Sequence, residues 1–262
     1  MTSAPATYQI DGDVLTLQLT DSRHLNALGE PLVDTLVAGL TAGQEARCRV
    51  AVIHAEPGVR TWSAGHDINE LPEDGRDPLL WNSPLERLLR AVRHAPFPVI
   101  AAVEGGVWGG ACDLVVTCDL VVATTSATFA ITPAKLGVAY NTTGVSHFLG
   151  VLPLHVVKEM FFTAEPLTAA TAAQHGLINH VVEPPDTLAG ATAMLVERIV
   201  RMATLVIRAI KTELRTLTDG RPMTSESFEH LTSVRREAWR SADYAEGLAA
   251  FHAKRPPRFT GQ

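Results

Sequence analysis

The segment 96–119 constrains the fold of this 262-residue chain more than any other. Pro96-Phe97-Pro98 leads into Val-Ile-Ala-Ala-Val at 99–103. That apolar run is short, uninterrupted and bounded by Pro and Gly, which predicts a strand buried on both faces. Gly105, Gly106, Gly109 and Gly110 follow, and residues 111–118 carry no Gly or Pro, so they predict a helix. A strand that breaks into glycines and opens a helix leaves unpaired backbone N–H groups at the helix N-terminus. Such a turn can hold negative charge.

Several readings compete for this turn. A dinucleotide fingerprint needs Gly-x-Gly-x-x-Gly, and the spacing here does not supply it. A phosphate-cradling loop would end in Gly-Lys-Ser or Gly-Lys-Thr, whereas Ala111-Cys112 follows here. Close strand–helix packing without chemistry is a third reading. The fourth is an oxyanion hole to which the Gly110 N–H contributes one donor, and an oxyanion hole calls for a second.

A second junction offers it. Thr61-Trp62-Ser63-Ala64-Gly65-His66-Asp67-Ile68 reads as a strand, a glycine and a helix-compatible segment, and places the His66 N–H where a second donor is wanted. The His66-Asp67 pair also reads as a local hydrogen-bonded contact. No second His or Cys stands at metal-ligand spacing, so a zinc site is not expected.

The length fits one large α/β domain, or one domain with a helical appendage. A net charge of −6 with 46% hydrophobic residues gives no sign of nucleic-acid or membrane affinity. The N-terminal residues show no basic-then-apolar leader, and no apolar run approaches a membrane span, so a cytoplasmic protein is expected. Cys48, Cys112 and Cys118 read as buried thiols rather than a disulfide framework or a metal site.

Along the chain, Asp11-Gly12-Asp13 predicts a hairpin between strands at 8–10 and 14–19, and Pro31 opens a helix. A buried strand is expected at 49–54 and an amphipathic helix at 85–92. The stretch 72–84 is rich in Pro, Gly and Asp yet contains Leu79-Leu80-Trp81, which suits either a lid over a ligand or docking onto a neighbouring element. Further strands are expected at 120–123, 128–131 and 178–182. Thr168 caps a helix that Gly176 ends. Residues 188–201, 203–217, 225–239 and 244–253 have helical periodicity. Tyr140, in an irregular stretch, reads from composition as an ordinary half-buried aromatic. The order is βα units first and a helical tail afterwards.

The two glycine junctions, together with Phe251-His252-Ala253-Lys254-Arg255-Pro256-Pro257, resemble the crotonase (enoyl-CoA hydratase/isomerase) superfamily over nearly the whole chain. The resemblance implies an α/β fold: a crotonase-like spiral of ββα units over 1–200 that carries the CoA-thioester site. A C-terminal helical region over 201–262 would serve trimerisation and CoA contact. It implies an acyl-CoA thioester substrate, a homotrimer or homohexamer, and no cofactor, coenzyme A being part of the substrate. His66 and Gly110 would supply the oxyanion-hole N–H groups, Ala64 and Ile68 would line the CoA site, and Phe251 and Lys254 would reach a CoA.

The departures from the hydratase pattern matter most. The two catalytic glutamates of hydratases align on Asp113 and Pro133, and a proline does no acid–base chemistry. Ser63-Ala64-Gly65-His66-Asp67-Ile68, Val107-Trp108-Gly109-Gly110 and Thr132-Pro133 with Tyr140-Asn141 instead look like the decarboxylating members of the family. The implied reaction is decarboxylation of methylmalonyl-CoA, or a close 2-alkylmalonyl-CoA, to propionyl-CoA through a thioester enolate. Tyr140 and Thr132 would stand beside the substrate carboxylate, with Gly106, Trp108 and Val138 around it. The alternatives are an enoyl-CoA hydratase or isomerase using Asp113, and a non-catalytic acyl-CoA-binding protein.

Overall fold

The computed structural model describes residues 4–71, 80–183, 187–218, 224, 226, 229–230, 232–233, 236–237 and 240–262; the side chains of Phe251 and His252 are outside the description. The expected strand end at Pro184-Pro185, the segment 72–79 of the expected lid and most of the expected helix at 225–239 lie outside the described residues.

The chain opens with β1 (Ala6–Asp11) and β2 (Val14–Leu19), an antiparallel hairpin whose turn uses Gly12 at φ 53°. Helix α1 (Glu30–Glu45) follows with Pro31 in its first turn, where a missing N–H costs nothing. Three successive strand pairs then alternate between two sheets: β3 (Val50–Ala55) with β4 (Thr61–Ser63), β5 (Val99–Val103) with β6 (Gly106–Trp108), and β7 (Leu120–Thr124) with β8 (Thr128–Ala130). Helix α2 (Pro84–His94) precedes β5, and α3 (Gly110–Thr117) joins β6 to β7. After α4 (Thr142–Leu149) and α5 (Leu154–Thr163), the short β9 (Leu167–Thr168), α6 (Ala169–Gln174) and β10 (His180–Val182) complete the sheets. Helices α7 (Leu188–Val200), α8 (Thr204–Thr218) and α9 (Ala242–His252) form the tail.

Among the described residues the larger sheet runs β1-β2-β3-β5-β7-β10, parallel from β2 onward, and the smaller runs β4-β6-β8-β9. Each ββ unit thus gives one strand to each sheet, which is the spiral expected. The sequence reading passed directly from the strand at 99–103 to a helix and missed β6. Gly105, at φ 79°, turns the chain out of the larger sheet; a Cβ there would stand 2.6 Å from the Arg60 carbonyl oxygen. Three residues too short to show a period then pair with β4 and β8.

The main core lies between the larger sheet, α1, α2 and α3, where Leu15, Leu17, Ile53, Val99, Ala101, Leu88 and Leu114 are fully buried. A smaller cluster on the other face of the sheet, Val50, Val52, Ile100 and Val122, packs against Leu195 and Val196 of α7. On that face lies a cavity of about 1080 Å³, lined by Val52, Ala102, Val182, Leu188 and Val196. It takes in Trp62 of the β4 junction but not Gly65, His66, Gly109 or Gly110.

Candidate active site

Two loops meet between the sheets. The first is built on β4. Its Trp62 indole N–H donates to the Ala102 carbonyl (2.8 Å), fixing the smaller sheet against the larger. Asn26, fully buried at φ 50°, donates to the Trp62 carbonyl (2.9 Å), while the Ser63 hydroxyl donates to the Asn26 carbonyl (2.7 Å). The Ala64 N–H donates to the Leu25 carbonyl and the Leu28 N–H to the Gly65 carbonyl. The polar loop 21–28 is therefore a brace for residues 62–65, a role its sequence does not announce.

The second loop is the turn from β6 into α3. The Gly109 N–H donates to the Ala130 carbonyl (2.8 Å), and Gly109 takes φ 53°, ψ −119°, a combination that glycine adopts without strain. Gly65, at φ 83°, presses its Cα against this turn: a Cβ there would overlap the Trp108 carbonyl oxygen and stand 2.7 Å from the Gly110 nitrogen. A Cβ on Gly110 would stand 3.3 Å from the His66 nitrogen. The backbone N–H groups of His66 and Gly110 are thus neighbours, and neither donates a hydrogen bond among the described residues. Two adjacent unspent donors, one at the start of a helix, suit an oxygen that gains negative charge.

The expected helix after Gly65 is a single 3₁₀ turn, Ile68–Glu70, whose N-terminus the Asp67 carboxylate satisfies by accepting from the Asn69 N–H (2.9 Å). The Asp67 side chain is spent locally and does not pair with the His66 ring. Neither buried His66 ring nitrogen has a partner among the described residues, and burial lowers the pKa of this imidazole, keeping it neutral.

The other end of the site is made of side chains. Asp113 lies one turn along α3 from Gly110 and is 1% exposed. Its Oδ1 is 2.7 Å from His147 Nδ1, and its Oδ2 accepts a hydrogen bond from the Tyr140 hydroxyl (3.2 Å). The Tyr140 ring is packed edge-on against Phe148 and Phe161. Burial first, and then the Asp113 carboxylate, push the Tyr140 pKa well up, so the phenol stays protonated. Gly144 in α4 admits this contact, since a Cβ there would stand 2.6 Å from Asp113 Oδ2 and collide with the Tyr140 ring. Asn141 caps α4 by accepting from the Gly144 N–H and donates to the buried Glu86 carboxylate (2.5 Å).

The remaining expected site residues are placed as follows. Thr132 packs its hydroxyl against Gly109, where a Cβ would be 3.2 Å from Oγ1. The Trp108 indole lies over Gly106, whose missing Cβ leaves it room. Ala64 and Val138 are half-buried, while Ile68 is exposed in the 3₁₀ turn after His66. Lys254 is exposed just past α9, and the Phe251 side chain is outside the described residues. Trp81, from the expected lid, lies with the Arg90 guanidinium of α2 3.9 Å from its ring centre, so this part of the stretch docks on a neighbouring helix. Sequence reasoning missed His147 and Glu86. His147 is 34 residues from Asp113 and carries no motif.

The spiral fold and the paired donor turns define a crotonase-type acyl-CoA enzyme. Residues 9–262 match the family model described as enoyl-CoA hydratase/isomerase, and the chain belongs to that family. It is 40% identical over 248 residues to the methylmalonyl-CoA decarboxylase of Escherichia coli (strain K12), covering 95% of both chains. A solved methylmalonyl-CoA decarboxylase complexed with 2S-carboxypropyl-CoA superposes with a TM-score of 0.80 at 38% identity, covering 100% of each chain. An enoyl-CoA hydratase subunit from Geobacillus kaustophilus superposes with a TM-score of 0.86 at 29% identity and 98% coverage of both.

Proposed function

We propose that this family member decarboxylates methylmalonyl-CoA, or a close 2-alkylmalonyl-CoA, to the corresponding acyl-CoA. One observation carries the reading: both oxygens of Asp113 are occupied, by His147 and by Tyr140. The resemblance to hydratases puts Pro133 where their second carboxylate would be. Hydration calls for carboxylates that manage the proton of a positioned water; of those two positions only Asp113 carries one, and it is turned toward His147 and Tyr140. The likeness to methylmalonyl-CoA decarboxylase supports the same reading.

In this mechanism the C2–carboxylate bond breaks when it stands perpendicular to the thioester plane. Its electron pair passes into the enolate, carbon dioxide leaves neutral, and C2 takes up one proton. The His66 and Gly110 N–H groups hold the enolate oxygen, each contributing about 3 kcal/mol by analogy with oxyanion-hole deletions. Thr132 sits beside the glycine turn, where its hydroxyl can orient the departing carboxylate. The mechanism calls for no cation clamped on that carboxylate, since a clamp would over-stabilise its ground state relative to the transition state. The test compares carbon dioxide release from methylmalonyl-CoA with hydration of crotonyl-CoA. Decarboxylation with negligible hydration is expected, and efficient hydration would sink the proposal.

The assembly we propose is trimer-based. Helix α8 leaves Val206, Ile210, Leu214 and Leu217 exposed, more apolar surface than a lone helix leaves to water. Sedimentation at micromolar concentration should give a trimer or hexamer, and a monomer would refute it.

A further inference from the structure

The side-chain end of the site continues past Asp113. His147 Nε2 lies 3.1 Å from Arg93 Nη1, on the side of the ring away from Asp113. A guanidinium can only donate, so Nε2 must accept, and the ring hydrogen of a neutral His147 is on Nδ1. From there it points at Asp113 Oδ1, 2.7 Å away, with the Thr117 hydroxyl a distant 3.5 Å from the same nitrogen. Asp113 therefore faces two donors, the His147 Nδ1–H and the Tyr140 hydroxyl, which is the partner set of an ionised carboxylate. A phenol has one hydrogen. While that hydrogen is on Asp113, Tyr140 cannot give it to anything else.

We propose that His147 is a positioning residue for Tyr140: the chain Arg93–His147–Asp113 keeps the phenolic hydrogen turned onto Asp113, so the Tyr140 oxygen meets an incoming carboxylate with its lone pairs. Tyr140 then stands beside the substrate carboxylate without donating to it. The repulsion acts on the localised carboxylate and disappears as carbon dioxide departs and the charge moves to the thioester oxygen, so it lowers the barrier rather than tightening binding. His147 does not relay protons in this arrangement, since Arg93 occupies the nitrogen that would have to be recharged. The proposal rests on the decarboxylase reading for the identity of the carboxylate, but the hydrogen-bond chain itself does not.

The test uses ligands as well as turnover. Asp113→Asn keeps an oxygen for His147 and offers an N–H to Tyr140, which frees the phenolic hydrogen for the site. Dissociation constants are measured for 2-carboxypropyl-CoA, which carries a carboxylate and cannot decarboxylate, and for propionyl-CoA, which has none. Asp113→Asn should bind 2-carboxypropyl-CoA about fivefold tighter or more, the effect of gaining one hydrogen bond. Propionyl-CoA binding should stay unchanged. In turnover of methylmalonyl-CoA, KM and kcat should both fall. Weaker or unchanged binding of 2-carboxypropyl-CoA overturns the proposal. His147→Leu should lower kcat, and His147→Asn, which returns an amide N–H near the Nδ1 position, should recover most of it. Equal losses in the two would reduce His147 to a space-filler. Nitrogen-15 NMR of the wild-type protein at neutral pH should show His147 neutral with its hydrogen on Nδ1; an imidazolium or an Nε2–H ring refutes the chain whatever the activity. A wild-type protein that releases no carbon dioxide sinks the decarboxylase reading alone, because the ring tautomer and the two binding constants remain measurable.

Discussion

The two ends of the site are built on opposite principles. At the proposed enolate end the groups are main-chain N–H groups of His66 and Gly110, neighbours in space and without another acceptor among the described residues. At the proposed carboxylate end they are the side chains of Tyr140, Asp113, His147 and Arg93, each engaged with the next. The first is fixed once the backbone folds, because no rotamer separates the donors. The second is assembled from α2, α3, the 133–141 stretch and α4, and each member depends on its neighbour for protonation state and direction. Loss of the first should remove catalysis of any enolate; loss of the second should change which carboxylate is tolerated and how fast it leaves.

The harshest way to break this contrast is Gly65→Ala. A Cβ at φ 83° would be strained, would overlap the Trp108 carbonyl and would crowd the Gly110 nitrogen. Displacing both donors should lower kcat by about a hundredfold to a thousandfold, the range for loss of one oxyanion donor or more. A folded Gly65→Ala enzyme with near wild-type turnover would show that the hole lies elsewhere.

Next comes Tyr140→Phe, which keeps the ring against Phe148 and Phe161 but deletes the oxygen. Turnover of methylmalonyl-CoA should fall about tenfold to a thousandfold, the span for one misplaced polar group in a dry site. Binding of propionyl-CoA should hardly change. Unchanged turnover would demote Tyr140 to a packing residue and leave Thr132 to orient the carboxylate.

These two positions also show what can be read from sequence. Gly65, Gly109 and Gly110 are legible because backbone geometry demands a residue without a Cβ, and such demands leave a mark at fixed spacing. Thr168 as a cap and Pro31 in a first turn are legible for the same local reason; the Thr171 N–H does donate to the Thr168 hydroxyl. The strand β6 was not, since three residues between glycines have no period. The Asp113–His147 pair was not either: nothing in the local chemistry of a histidine in α4 states that a carboxylate on α3 will meet it. The helix expected after His66 stops at one 3₁₀ turn because Leu71, the residue before Pro72, is extended at φ −70°, ψ 130°.

A smaller effect is expected from His66→Ala. If His66 works through its main chain, decarboxylation should stay within about tenfold of wild type, a loss of roughly 1.4 kcal/mol at most. The ring makes no hydrogen bond among the described residues, so its removal leaves none of them unpaired. A loss of several orders of magnitude with the fold intact would bring the imidazole into the chemistry and blur the division between the two ends.

The smallest effect lies outside both ends. Glu246 in α9 accepts from the Arg255 guanidinium and from the Arg258 N–H (2.8 Å), and these hold its pKa down to about 2 from an ordinary 4.5. A depressed carboxylate pKa stabilises the folded state fully above the ordinary value, and the contribution is lost as pH falls toward the folded one. Glu246→Gln should therefore lower the melting temperature slightly at neutral pH, with the difference from wild type vanishing near pH 2. Its kcat should be that of the wild type. A difference that grows on acidification would contradict the assignment.

The Gly65 contact with the Gly110 turn carries an evolutionary consequence. Since that contact involves main chain on both sides, ordinary drift in side chains leaves the enolate holder intact. Selection can then try new chemistries by rewriting only the opposite wall, where an aspartate, a proline, a tyrosine and a histidine occupy four separable positions. Under the proposed mechanism such a chain need not lose its enolate holder to change its reaction, because changes on the opposite wall leave the Gly65 contact in place.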